Sequence, residues 1–288
     1  MIQQEIDKYL NSPDIQSLAD SSQKAYGYSL GHLKKYCRKR SIKSLENFQP
    51  RMPRLAKWLK EERGITDQSV HQHITNIKIF LNWLGCPVNY TYKISNHDKQ
   101  AKKQKHSRRW LSENEIDMCL DYSFENSAEA NRNRLIIRLL IETGCRAKEL
   151  ACLRSDDVDI EEQTLYLSDS KTEPRVAFFS PTTQEMFLKL KKNKWSGKLF
   201  PSVERIKQIV NEMLTNLNLK KSGDGRGPHT FRHYFSSHLF FAGKIRIEEI
   251  AMLMGDTVQT VQNVYLHCPE LIMRQRVSEA MGWDNPGK

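Results

Sequence analysis

Apolar positions recur at helical spacing through the first 86 residues. In SSQKAYGYSLGHLKKYCRKR, Tyr26, Leu30, Leu33 and Cys37 fall three or four apart behind serines suited to capping a helix start. MPRLAKWLKEE repeats the pattern, and TDQSVHQHITNIKIFLNWLG starts at a Thr or Asp cap and stops at Gly85. Residues 1–86 therefore predict an all-helical domain.

From Pro87 to Arg109 the periodicity vanishes, which predicts an extended linker. A second domain opens at WLSENEIDMCL, where Ser112 and Glu115 have the spacing of a capping box. NRNRLIIRLLIETG reads as a strongly apolar helix ended by Gly144, and AKELACLRSDDVD as another running into a loop. Two alternating runs, Thr164 to Leu167 and Arg175 to Phe179, flank a polar turn and predict a hairpin with room for a further short strand. Helical patterns resume at TTQEMFLKLKKN and SVERIKQIVNEMLTNLNL and continue, past a glycine-rich turn, toward the C-terminus. The fold class is mainly α, with a small antiparallel sheet in the second domain.

Charge changes the picture more than composition does. The chain of 288 residues carries a formal charge of +11, and residues 1–110 hold 21 Lys and Arg against 9 Asp and Glu, so the rest is nearly balanced. The stretch KQAKKQKHSRR alone supplies six cations, Lys99, Lys102, Lys103, Lys105, Arg108 and Arg109, and no acid. A basic first domain and strap joined to a neutral second domain suit a protein that grips a polyanion with one part and acts selectively with the other. No apolar run reaches membrane-spanning length and the first thirty residues are too polar for a signal peptide, so an intracellular, cytoplasmic protein without membrane anchorage is expected. The six cysteines form no CxxC pair and read as reduced, mostly buried thiols.

The richest chemistry lies in GPHTFRHYFSSH. His229 and His233 share a helix face, as metal-binding histidines do, but Thr230 replaces the glutamate of an HExxH site and Arg232 would repel a divalent cation. A phosphate site is the stronger reading, because His229 and Arg232 stand three apart on the first turns of a helix that begins after Gly227 and Pro228. Free amides and a planar guanidinium there both match phosphate oxygens. Phe231, Phe235, Leu239 and Phe240 read as core, and His233 and His238 stay unassigned.

At these residues the chain resembles the tyrosine recombinases, the family of phage-type integrases and Xer proteins. TGCRAKELACLRSDDVD is similar to the family's first arginine box, SKTEPRVAFF to its lysine hairpin, HTFRH to its HxxR box, and IAMLMGDTVQTVQNVYLH to its last box. The resemblance implies an all-helical core-binding domain over 1–86, a basic linker over 87–109, an α+β catalytic domain over 110–268 and a tail over 269–288. The tail either packs on its own domain or docks on a neighbouring subunit. It further implies that Arg146 and Arg232 clamp the phosphate, that Glu149 supports Arg146, that His229 is an acid or base, that Lys171 is the general acid and that Tyr265 is the nucleophile. Two arginines neutralise the charge that builds on a phosphodiester under attack, so neither metal nor ATP is called for.

One position departs from the pattern. Asp256, nine residues before Tyr265, stands where the family usually has histidine or tryptophan. A carboxylate about 4 Å from a phosphate, at an effective dielectric of about 20, would cost on the order of 4 kcal/mol. Asp256 must turn away, pair with a cation, or belong to a protein whose cleavage waits for a partner; pairing is the expectation adopted here.

The resemblance makes the chain a site-specific recombinase that works through a 3′-phosphotyrosyl link and a Holliday junction. Its partners would be duplex DNA at the nucleoid, further copies of itself as a dimer per site and a tetramer on DNA, and accessory DNA-bending or partner recombinase proteins. A type IB topoisomerase and a catalytically weakened DNA-binding relative stay open as alternatives. DNA contacts are expected at the basic strap and at Lys24, His71, Gln72, Asn76 and Lys78, the middle three as base readers on the helix that begins after Thr66.

Overall fold

The computed structural model describes residues 2–94, 111–125, 127–168, 174–193, 195–221, 223–265, 277, 278 and 281. The chain divides into two compact units, Met1–Lys102 and Lys103–Lys288. The strap from Lys99 to Arg109, the turn holding Lys171 and most of the tail over 269–288 lie outside the described residues. No described helix is long and apolar enough to cross a membrane.

The described part of the first unit is helical: α1 (Ile2–Leu10), α2 (Pro13–Gln16), α3 (Asp20–Lys39), α4 (Met52–Glu61) and α5 (Asp67–Trp83). Helix α3 starts one residue ahead of the expected serines, behind Ala19, so Ser21 and Ser22 lie inside its first turn. Helix α5 starts as its sequence predicts, with the Thr66 side chain accepting from the Ser69 amide. Leu30 and Leu33 of α3, Leu55 and Leu59 of α4 and Val70, Ile74, Ile77 and Phe80 of α5 form one core. Val88 is buried in the same core, with Tyr90 and Tyr92 packed against it. The packed body therefore runs past residue 86, because this short apolar run has a surface to cover.

The same packing corrects part of the expected DNA face. Asn76 is only 4% exposed. Its amide donates to Ser29 Oγ at 3.0 Å, while Gln72 donates to Asn76 Oδ1 at 2.9 Å. Asn76 is thus a polar tie between α5 and α3 and is withdrawn as a base reader. His71 is half-buried, with Nδ1 3.0 Å from the Tyr92 carbonyl, whereas Gln72 and Lys24 are exposed and Lys78 is half-buried.

In the second unit α6 (Glu113–Leu120) begins with the expected capping box, Ser112 and Glu115 each bonding the other's backbone amide. Helix α7 (Ser127–Thr143) buries Leu135, Ile136, Ile137, Leu139, Leu140 and Ile141, nearly its whole circumference, and so runs through the core. Then come α8 (Ala147–Cys152) and the antiparallel strands β1 (Val158–Asp159), β2 (Thr164–Leu167) and β3 (Arg175–Phe178), in spatial order β1-β2-β3. The hairpin pairs Thr164 with Phe178 and Leu167 with Arg175, as the alternation predicts, and β1 is the extra strand.

Helices α9 (Pro181–Asn193), α10 (Val203–Asn216), α11 (Pro228–Ala242), α12 (Ile247–Met254) and α13 (Val258–Tyr265) complete the described elements. Phe231 lies in the main core, while Phe235, Leu239 and Phe240 pack on a second cluster formed by Ile250, Ala251, Met254 and Val261. Two faces of α11 thus fix it between the core and the α12–α13 pair.

Candidate active site

The turn after α7 sets the first arginine. Gly144 has a φ of +59°, and a Cβ built on it would lie 2.5 Å from Cδ1 of Phe235, so both conformation and space exclude a side chain. The chain then enters α8 with Arg146 at the N-cap. The Glu149 carboxylate accepts from the Arg146 amide at 2.7 Å and from its Nη1 at 2.8 Å. One buried acid satisfies a helix-end donor and orients the guanidinium together.

Arg232 arrives from the second turn of α11 and is buried. Its Nη1 donates to the Gly144 carbonyl at 2.6 Å, and its Nη2 donates to the Met254 carbonyl and to the Asp256 carboxylate. Burial pulls the Arg232 guanidinium below its ordinary pKa, while the hydrogen bond it donates to Asp256 pushes it back up; an arginine so held stays charged.

Asp256 follows Gly255, the left-handed cap of α12. Its Oδ1 accepts from Arg146 Nη2 at 2.8 Å and its Oδ2 accepts from Arg232 Nη2. Residues 86 and 24 positions from Arg232 in the chain, Arg146 and Asp256, are therefore joined to it through one carboxylate. The aspartate pairs with cations, and with both proposed clamp residues at once. Gly255, Asp256 and Arg175 also line a groove of about 790 Å³ that opens to solvent.

Sequence reasoning passed over Arg175. It occupies an inward position of β3, where its Nη2 donates to Glu149 Oε2 at 3.0 Å and its Nε to the Leu253 carbonyl at 2.7 Å. The signal was present: in the alternating run RVAFF, Arg175 shares the face of Ala177 and Phe179, which are buried. Three guanidinia face two carboxylates here, so the cluster keeps one net positive charge.

His229 is exposed on the first turn of α11, where the Gly227 amide donates to Thr230 Oγ1 at 3.1 Å. His238 lies 3.0 Å from Glu113 and stacks on Tyr234, a link to α6, and His233 is half-buried. Cys145 is buried beside the arginines, and burial pushes its thiol up to about 11, so it supplies no thiolate at neutral pH. Tyr265 is the last residue of α13, and its side chain lies outside the described residues, as does Lys171. Among the described residues no group of three or more His, Cys, Asp and Glu is arranged to hold a metal.

The model of the phage integrase family matches residues 109–270, more than half of the chain. The chain belongs to that family, the tyrosine recombinases. It is accordingly an enzyme of DNA strand cleavage and religation. It is 26% identical over 223 residues to tyrosine recombinase XerA of Saccharolobus solfataricus, covering 77% of this chain and 70% of that one. It is 27% identical over 228 residues to a tyrosine recombinase of Pseudothermotoga lettingae, covering 74% and 75%. Among solved structures, the Tn1549 transposon integrase in complex with a circular intermediate DNA superposes with a TM-score of 0.72 at 14% identity, covering 97% of this chain and 99% of that one. XerH bound to a palindromic difH substrate gives 0.69 at 17% identity, covering 99% and 85%. At these identities the structures establish a shared fold, mainly helical with a small antiparallel sheet.

Proposed function

We propose that this tyrosine recombinase is site-specific and that it cuts DNA through Tyr265. The tyrosine oxygen attacks the scissile phosphorus, a P–O bond forms to Tyr265, and the bond to the 5′ oxygen breaks. The tyrosine proton passes to His229, and Lys171 protonates the departing 5′ oxygen. Arg146 and Arg232 carry the charge on the non-bridging oxygens, with Glu149 and Arg175 holding Arg146 in place. The phosphotyrosyl link conserves the bond energy, so a second strand can be joined without ATP, through a Holliday junction between two dimers.

The observation that supports this most is the meeting of Arg146 and Arg232 on a single anion. Two guanidinia from separate helices, each also bonded to a backbone carbonyl, form an anion site that needs no divalent ion to balance a phosphodiester.

The test is covalent trapping with a pool of nicked duplexes of randomised sequence, read on a denaturing gel. Wild type should form an adduct, and Tyr265→Phe should form none while still shifting the duplexes on a native gel. An adduct in the variant would show that another residue is the nucleophile. Sequencing the trapped strands reports the target, and relaxation of any supercoiled plasmid regardless of sequence would instead mark a topoisomerase.

A further inference from the structure

We infer that the Asp256 carboxylate fills, in the DNA-free protein, the seat that a phosphodiester takes during cleavage, and so latches the site until DNA displaces it. The inference rests on the proposed clamp of Arg146 and Arg232 and adds a regulatory step to it.

Three observations carry it. The carboxylate presents one oxygen to each arginine, at 2.8 Å for Arg146. A phosphodiester would offer its two non-bridging oxygens, and the same single negative charge, in that way. Arg232 is almost sealed, with 7% of its side chain exposed, and its inner donors go to the Gly144 and Met254 carbonyls. An anion that reaches both guanidinia therefore meets the carboxylate, and two like charges cannot share the place at low cost.

The guanidinia do not depend on Asp256 for their positions. Arg146 is held by Glu149 at 2.8 Å and by the Gly255 carbonyl at 3.0 Å, and Arg232 by its two carbonyls. Removing the carboxylate leaves the clamp standing, so the residue occupies the site rather than building it.

Asp256 also sits on the turn between α12 and α13, and α13 ends at Tyr265. While the carboxylate is on the arginines, that turn is pinned to α8 and α11. When phosphate takes the arginines, the turn keeps its amide bond to the Ala251 carbonyl at 3.0 Å and the bonds of its Met254 and Gly255 carbonyls to the arginines, but loses the ionic anchor at Asp256 itself. Arrival of the scissile phosphate is thereby linked to loosening, at Asp256, of the entry to the helix that carries the proposed nucleophile.

The latch is tested with inorganic phosphate as the probe, titrated calorimetrically into the full chain. Asp256→Asn, which keeps the shape and removes the charge, should bind phosphate roughly tenfold more tightly than wild type at low salt. Equal or weaker binding would overturn the latch. The clamp is judged separately: Arg146→Ala and Arg232→Ala in the Asp256→Asn background should each abolish the gain, and if neither does, the clamp reading itself fails. Hydrogen exchange on wild type decides the case even if the variant folds poorly. Phosphate should speed exchange over residues 256–262, and unchanged or slower exchange there would refute the latch.

Discussion

Arg175 on β3 and Glu149 on α8 meet inside the second unit, Nη2 to Oε2 at 3.0 Å. The Glu149 side chain has no exposed surface and that of Arg175 only 6%. Because the same carboxylate orients Arg146, this buried pair serves the fold and the proposed clamp together.

Taking away Arg175 leaves Glu149 balanced by Arg146 alone and the Leu253 carbonyl without its donor, so Arg175→Met should cost about 1–3 kcal/mol of stability, read from urea unfolding. The double variant Arg175→Met with Glu149→Leu should recover at most part of that loss, since apolar groups replace the pair but the Arg146 amide loses its acceptor. It should not recover DNA cleavage, because Arg146 would have lost the acid that aims it. Full cleavage by the double variant would show that Glu149 matters for folding alone.

Gly144→Ala places a methyl against Phe235 in a left-handed conformation and moves the carbonyl that holds Arg232. The expected cost is about 1–3 kcal/mol of stability. Cleavage should fall by roughly a further tenfold among the folded molecules, through displacement of Arg232. Single-turnover adduct formation, corrected for the folded fraction, measures the second effect.

Acid should weaken the first unit through two histidines. Burial, the neighbouring His73, Arg63 and Lys35 hold His32 down at about 4, and burial lowers His73 as well. Below about pH 6.5 the unfolded chain binds protons that the folded unit refuses, so this stability is complete above that pH and is lost as pH falls toward the depressed values. Thermal unfolding of His32→Leu should fall less steeply between pH 6.5 and pH 4 than that of wild type. Parallel profiles would remove His32 from the acid response.

Asn76 ties α5 to α3 through Ser29. Asn76→Ala should therefore destabilise the protein by about 1–3 kcal/mol, by leaving buried polar partners unsatisfied. The set of DNA sequences trapped by the variant should match that of wild type. An altered set would return Asn76 to the DNA face.

Periodicity made the helices, the Ser112 capping box and the β2–β3 register legible, because each is set by spacing within about a dozen residues. Gly144 was legible as a helix stop, but not as a contact of Phe235, which depends on a helix some ninety positions away. Asn76 was misread for a related reason: it looks like a polar residue on an exposed face until α3 is laid beside it. Arg175 was overlooked because an arginine next to a polar turn reads as solvated, although its place in the alternation pointed inward. His229 and Arg232 were legible as a phosphate site from their spacing, but the other residues matching the family's boxes were findable only through the resemblance, and nothing in the spacing of Arg146, Arg232 and Asp256 says that they share one anion. That knowledge lives in packing between separate helices.

Tyr92 offers a lesson in dissection. Its hydroxyl donates to Asp67 Oδ1 at 2.6 Å, and the Asp67 side chain is 4% exposed with Lys60 as its ionic partner. Cutting the polypeptide at residue 86, where the helical pattern stops, would uncover that acid and strip Val88, Tyr90 and Tyr92 from the core they cover. A fragment meant to isolate the basic first unit should instead run to residue 94, so that the hook is carried with the body it closes.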